Sequence, residues 1–263
     1  MTKILKQIGA LACVVTVSVS FSITALAADK SVASNMTAVI HAGGVVNDEI
    51  GTNSLEALNN SFFNGYRYIE LDFNFTTDRH LVCVHDWEKN YFGSDYNFNG
   101  AVSLEEFKNL KIEGKYTPLT IKSLEEWLMN KPNTYIITDI KEDNIAGLKY
   151  IKDNAPYMMR RLIPQIYTEA QYDTVRSMGY ENIIYTLYMQ NYSQKTNTSR
   201  IVSFAKNHDL VAITFSSELA TNNYVSALKQ SGTRLFVHTV NDKSDTERFK
   251  SMGIYGVYSD VFQ

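Results

Sequence analysis

The chain has 263 residues, with 25 Lys and Arg against 28 Asp and Glu, and 44% of its side chains are apolar. A net charge of −3 argues against a nucleic-acid partner, and the apolar content excludes a wholly disordered polymer. Cys13 and Cys83 are the only cysteines, too few for a disulfide framework or a zinc ribbon.

Lys3 and Lys6 precede an apolar run from about Ile8 to Leu26 that ends in Ala25-Leu26-Ala27. That is the pattern of a secretory signal peptide cleaved after Ala27, and it predicts an extracytoplasmic protein, secreted or held in the cell envelope. A membrane anchor is the competing reading, since the run approaches the roughly 20 residues that span a bilayer. Ser18, Ser20, Ser22 and Thr24 dilute it. Cys13 fits a lipoprotein site poorly, because small Ala10 stands three positions before it. Cleavage leaves a net charge of −5 and Cys83 as the sole cysteine, so no intrachain disulfide forms. Residues 28–36 are expected to be a short flexible segment, and residues 37–263 a single barrel domain, near the roughly 250 residues such a fold uses.

Apolar runs of strand length follow in order: Ala38 to His41, Tyr68 to Phe73, Leu81 to His85, Tyr135 to Ile140 and Leu162 to Tyr167. Asn182 to Leu187, Leu210 to Phe215, Leu235 to Val240 and Gly256 to Ser259 complete the set. Between most of them, helix starts are predicted at Asn53/Glu56, Ser103/Glu106, Ser123/Glu126, Thr168/Gln171 and Ser244/Glu247, which read as capping boxes. Strands alternating with helices, and strands apolar on both faces, predict a TIM-type (β/α)8 barrel. Nine strand candidates compete for eight places. Between Phe73 and Leu81 no helix fits, so an extended return makes the barrel irregular between strands 2 and 3. The stretch from Trp87 to Pro118 is the longest insertion, of the kind that shapes a substrate site.

Polar residues gather at the strand ends where barrel active sites lie: His41, Glu70 and Asp72, His85 and Asp86, then Asp139 and Lys141. Glu70 and Asp72, two apart on a strand, project to the same side and need a positive neighbour. A hard divalent cation, Ca²⁺ or Mg²⁺, meets that need with Asp139 as a third oxygen ligand. Pairing with Lys141 or an arginine is the simpler alternative. His41 and His85 suit a general base and general acid on either side of a phosphodiester. His80 and His208 fall in turn or helix-end settings and carry no role. His238 is equally consistent with core packing and with lining a site.

The ordered motifs H-A-G-G, T-N-S-L-E-A-L, G-Y-R-Y-I-E-L-D-F-N-F-T-T-D-R-H-L-V-C-V-H-D, D-I-K, H-T-V-N and G-V-Y-S-D resemble those of the glycerophosphodiester phosphodiesterase family, from about Val39 to Asp260. The resemblance implies a phospholipase-C-like barrel, with His41 and His85 as the acid/base pair, Glu70, Asp72 and Asp139 as metal ligands, and Lys141 near the phosphate. It also implies a small-molecule or polymeric phosphodiester as substrate, with contact at an envelope or membrane surface as a corollary of export. Three positions depart from the family pattern. Ala42 replaces an arginine that grips phosphate, Thr52 replaces a glutamate, and Asp139 replaces a glutamate as in the similar sphingomyelinase D group. Losing the arginine removes a planar bidentate phosphate contact that lysine does not reproduce.

The expected reaction is metal-dependent hydrolysis to an alcohol and a phosphomonoester. One alternative is a lyase of phospholipase C or D type that gives a cyclic phosphate. Another is a non-catalytic envelope protein that binds polyol phosphates on Tyr91, Phe92, Tyr96 and Phe98.

Overall fold

The structure, a computed structural model, describes residues 35–93, 96 and 100–261. The expected signal peptide, its anchor and lipoprotein alternatives, Phe98 and nearly all of the 28–36 segment lie outside those residues. Met36 does not: it is fully buried against Val39, Ile137 and Phe236 inside the barrel, so the expected flexible segment stops short of it. Among the described residues, no helix is long and apolar enough to cross a membrane.

The described strands form one ten-stranded sheet: β1 (Ala38–Ile40), β2 (Tyr68–Phe75), β3 (Leu81–Cys83), β4 (Leu119–Thr120) and β5 (Tyr135–Ile140), then β6 (Leu162–Ile166), β7 (Ile184–Thr186), β8 (Ala212–Ser216), β9 (Leu235–His238) and β10 (Gly256–Ser259). Eight of them, β1, β2 and β5 to β10, are parallel neighbours, and β1 pairs with both β10 and β2 to close a barrel. The fold is therefore the TIM-type barrel predicted, and all nine predicted runs form strands. The surplus one is β3, which runs antiparallel to β2 and carries two-residue β4 on its far edge.

Alternation along each strand decides what faces where. Ile69, Leu71 and Phe73 of β2 and Ile136 and Ile140 of β5 join the outer core against the helices. Val39, Ile137, Ile163, Ile184, Ala212 and Phe236 fill the lower barrel interior. Glu70, Asp72 and Asp139 share the parity of the interior residues, so they face the barrel axis toward its C-terminal mouth.

The β2–β3 hairpin explains the missing helix. β2 continues past the end of β1 to Phe75, and β3 takes the edge that β1 has left. The turn is fixed by Thr76, whose hydroxyl donates to Asp78 Oδ1 at 2.7 Å, and by Arg79 at φ 63°. The strand then returns toward the rim, where the Val84 N–H donates to the Asp72 carbonyl at 3.0 Å.

Of the five predicted capping boxes, Ser103/Glu106 forms as read. Elsewhere the true caps are Ser54, Thr120 and Asp242, because the first residue of each predicted pair is outside the cap position. Thr168 precedes a short 3₁₀ turn without side-chain capping. In the Trp87 to Pro118 insertion, Phe92 stacks between Trp87 at 5.9 Å and Tyr96 at 4.5 Å, and Phe107 packs edge-on to Trp87. These rings form a small core of their own, which removes Phe92 and Tyr96 from the polyol-phosphate-binding role considered for them.

Candidate active site

A cavity of about 180 Å³ opens at the C-terminal mouth of the barrel, with His41, Glu70, His85, Asp139 and Lys141 in its wall. Every predicted site residue except Asp72 lines it directly, and Asp72 lies within the acidic cluster beside them. One oxygen each from Glu70, Asp72 and Asp139 falls within 4.8 Å of the others, and all three side chains are buried. The insertion contributes no lining residue among those described.

Lys141, at the end of β5, places Nζ 2.8 Å from Asp72 Oδ1 and 2.7 Å from Asp139 Oδ2. Burial opposes its charge, but Asp72 and Asp139 hold the ammonium well above its ordinary range. Burial would likewise raise Asp72, yet Lys141 and the two imidazoles outweigh it and lower the carboxyl. The simple pairing considered from the sequence is thus real for two of the three acids. Glu70 is different. Its Oε2 accepts from the Ala42 N–H at 2.8 Å, while its Oε1 is buried without a partner. Burial and the Asp72 charge push Glu70 up to about 8. A buried orphan oxygen among oxygen-only donors fits a hard divalent cation held by Glu70, Asp72 and Asp139.

His41 follows β1 in a tight turn, with Ala42 at φ 46° and Gly43 and Gly44 also at positive φ. Its Nδ1 is 2.7 Å from Asp260 Oδ1, and its Nε2 is 3.8 Å from Glu70 Oε2. Burial pulls the imidazole down, but the Asp260 hydrogen bond and the Glu70 and Asp72 charges raise it to about 9. His85 is half exposed and pairs through Nδ1 with Asp86 Oδ2 at 2.8 Å. The two histidines do not end neighbouring strands of the parallel barrel. His41 follows β1 and His85 follows antiparallel β3, and both elements lie on the same edge of β2.

The glycerophosphoryl diester phosphodiesterase family profile matches residues 41–263. The chain belongs to that family. It shares the barrel fold with a glycerophosphodiester phosphodiesterase from Thermotoga maritima, at 21% identity and TM-score 0.63 over 85% of this chain and 94% of that one. A phosphodiesterase from Oleispira antarctica, solved with the product sn-glycerol-3-phosphate, is 16% identical at TM-score 0.67, covering 85% and 92%. A glycerophosphodiester phosphodiesterase from Parabacteroides distasonis is 17% identical at TM-score 0.64, covering 85% and 92%. No curated protein is matched by the chain. As a member of the family, the protein is a phosphoric diester hydrolase.

Several residues of this phosphodiesterase site escaped assignment from sequence. Asp260 receives a 2.6 Å bond from Asn241 Nδ2, and its own N–H donates to Asn241 Oδ1 at 2.8 Å. Burial would raise Asp260, but the His41 and Asn241 bonds keep it below the usual carboxylate range. Asn53, at φ 49°, donates to Asp72 Oδ2 and accepts from the Asp72 N–H, each at 2.9 Å. Tyr167 and Tyr188 both donate to Asp139 Oδ1, Tyr188 at 2.8 Å. The ends of H-T-V-N and G-V-Y-S-D, and the Asn of T-N-S, were the available signals for Asn241, Asp260 and Asn53. Nothing local marked the tyrosines.

The departures from the family pattern also resolve. Ala42 is buried, and its backbone rather than its side chain serves the site through Glu70. Thr52 is buried too, with its hydroxyl on Ser54 at 2.9 Å and its carbonyl accepting from Tyr91 at 2.6 Å. His80 bonds Tyr150 and His208 bonds the Phe204 carbonyl, and neither lines the cavity. His238 lines the cavity.

Proposed function

We propose that this protein is an extracytoplasmic, metal-dependent glycerophosphodiester phosphodiesterase that cleaves a polyol phosphodiester to an alcohol and a phosphomonoester. The observation that carries the reading is the convergence of two histidines, three buried acids and one lysine on a single cavity of a family member. Export is supported by the signal-peptide pattern ending at Ala27. In this reading, residues 37–263 are the catalytic domain, and small or polymeric phosphodiesters of the envelope are the substrate class.

Glu70, Asp72 and Asp139 would hold one Ca²⁺ or Mg²⁺, whose charge offsets the negative charge that builds on the phosphate and lowers the pKa of an attacking hydroxyl. Asn53 fixes Asp72 through two bonds, and Tyr167 and Tyr188 fix Asp139, so the acids are oriented before substrate arrives. His41 and His85 each commit Nδ1 to a carboxylate, which leaves Nε2 of each as the atom that carries a proton. One takes the nucleophile's proton, and the other protonates the leaving alkoxide. Without an arginine at position 42, Lys141 is the principal side-chain cation at the phosphate, a point charge rather than a fork.

The test is a panel of glycerophosphodiesters followed by phosphorus NMR, with and without chelator. His41→Ala and His85→Ala each lose about 10²–10⁴-fold in rate, chelation abolishes turnover, and Ca²⁺ or Mg²⁺ restores it. Near-parental rates in both histidine variants would sink the acid/base assignment. Accumulation of a cyclic phosphate would identify a lyase instead.

A further inference from the structure

The parallel strands all start at one end of the barrel, so every helix-to-strand junction lies on the face opposite the catalytic mouth. Phe63, Met129 and Tyr157 stand shortly before β2, β5 and β6, which are neighbours in the sheet, and they are 77%, 68% and 81% exposed. Contacts join them into one patch. The Lys131 ammonium lies 5.6 Å from the centre of the Phe63 ring and 4.9 Å from that of Phe62. Arg161 donates to the Leu128 and Lys131 carbonyls, at 3.1 and 2.6 Å, and so ties the β6 junction to that of β5. Met129 and Tyr157 flank a groove of about 50 Å³ with Arg161 in its wall. Single exposed apolar side chains are ordinary, but a contiguous group rimmed by charge marks a surface that meets a partner.

The charge on this face is equally uneven. Between each α-helix end and the next strand, the seven junctions carry Arg67, Lys131, Arg160, Arg161 and Arg234 against Glu181 and Asp209. The last turns of those helices add five basic residues against Glu126 and Asp153. Ten basic groups thus stand against four acids, in a chain whose net charge is −3. The helix macrodipole accounts for cations in a last turn, but not for the five in the junctions themselves. The chain also enters β1 from this face, so the apolar run that ends at Leu26 joins the fold on the same side. Clustered Lys and Arg attract anionic headgroups, and aromatic rings settle at headgroup level.

We propose that this face docks on a bilayer rich in anionic phospholipid, with Phe63, Met129 and Tyr157 inserted among the headgroups. The docking rests on the extracytoplasmic placement in the reading above, and not on its chemistry. Held this way, the enzyme turns its catalytic mouth away from the lipid, so its substrates are diesters free in the surrounding medium rather than lipids of that bilayer.

The experiment is sedimentation of the exported form, residues 28–263, with vesicles of equimolar phosphatidylglycerol and phosphatidylcholine and with vesicles of phosphatidylcholine alone. Turnover of a soluble glycerophosphodiester is measured alongside. The expected result is at least tenfold stronger partitioning onto the anionic vesicles, lost in high salt because the charges are then screened. Phe63→Ser and Tyr157→Ser, both at largely solvated side chains whose loss leaves the fold standing, each weaken partitioning at least threefold, and Lys131→Glu at least fivefold. Turnover stays within twofold in all three. Tyr192→Ser, at an exposed ring that follows β7 on the mouth side, changes neither measurement. Absence of binding to the anionic vesicles overturns the docking face, as does a loss caused by Tyr192→Ser and by none of the other variants. A dimer in solution that Phe63→Ser and Tyr157→Ser dissociate overturns it too, in favour of a second copy as the occupant. Vesicle binding without turnover of any diester would sink the phosphodiesterase reading alone.

Discussion

At the residue scale, the unusual group is His41, a partly buried imidazole held charged by carboxylates. Its pKa is raised from 6.5 to about 9, so its contribution to stability is fully present below 6.5 and is lost as pH rises through about 9. Asp260 is shifted the other way, and its contribution is present above its ordinary range near 3.8. Asp260→Asn should therefore cost most near pH 6, about 1–2 kcal/mol for one charge-assisted hydrogen bond at a site one-third exposed. Near pH 10 it should cost little. Urea unfolding of the metal-free chain at the two pH values measures this, and equal losses would count against the pair. The same variant should lower the His41 pKa in a proton NMR titration.

At the element scale, two contacts decide how the frame carries the site. The helix Asn144–Asn154 lies on β5 so closely that a Cβ at Gly147 would fall 2.8 Å from both Cδ1 and Cγ2 of Ile140. Overpacking costs about 1–3 kcal/mol, while helix propensity returns at most about 1. Gly147→Ala should thus lower stability by about 1–2 kcal/mol, read as a fall in denaturation midpoint at constant m. Since Ile140 adjoins Asp139 and Lys141, the rate should fall as well. In the insertion, Phe92 is 2% exposed between two stacked rings. Phe92→Ala should cost about 3–5 kcal/mol. A loss below 1 kcal/mol would show that this small core does not couple to the rest.

At the scale of the whole molecule, the closed barrel gathers three acids and one lysine from two neighbouring strands, β2 and the end of β5, at its C-terminal mouth. A cation that binds only the folded state raises stability by about 2.7 kcal/mol at one hundred times its dissociation constant. Ca²⁺ or Mg²⁺ at that level should raise the thermal midpoint, chelator should reverse the gain, and Glu70→Gln should abolish it. An unchanged midpoint in the parent at millimolar cation would count against the site. This readout is independent of turnover.

How much of this the chain declares on its own follows from the range of the forces involved. Strand and helix periodicity, the β2–β3 return and the inward parity of Glu70 and Asp72 are local, set by alternating side chains over a few residues, and they were legible. So was the set of six candidate site residues that the cavity and its acidic cluster bring together, because each sits in a distinctive motif. Which eight of the nine candidates close the barrel was not, since β1 reaches β10 only through contacts more than 200 residues apart. Nor were the partners that tune the chemistry. Asp260 meets His41 across 219 residues, and Tyr188 meets Asp139 across 49. Local sequence chose which side chains face the axis, and tertiary closure alone decided which of them meet.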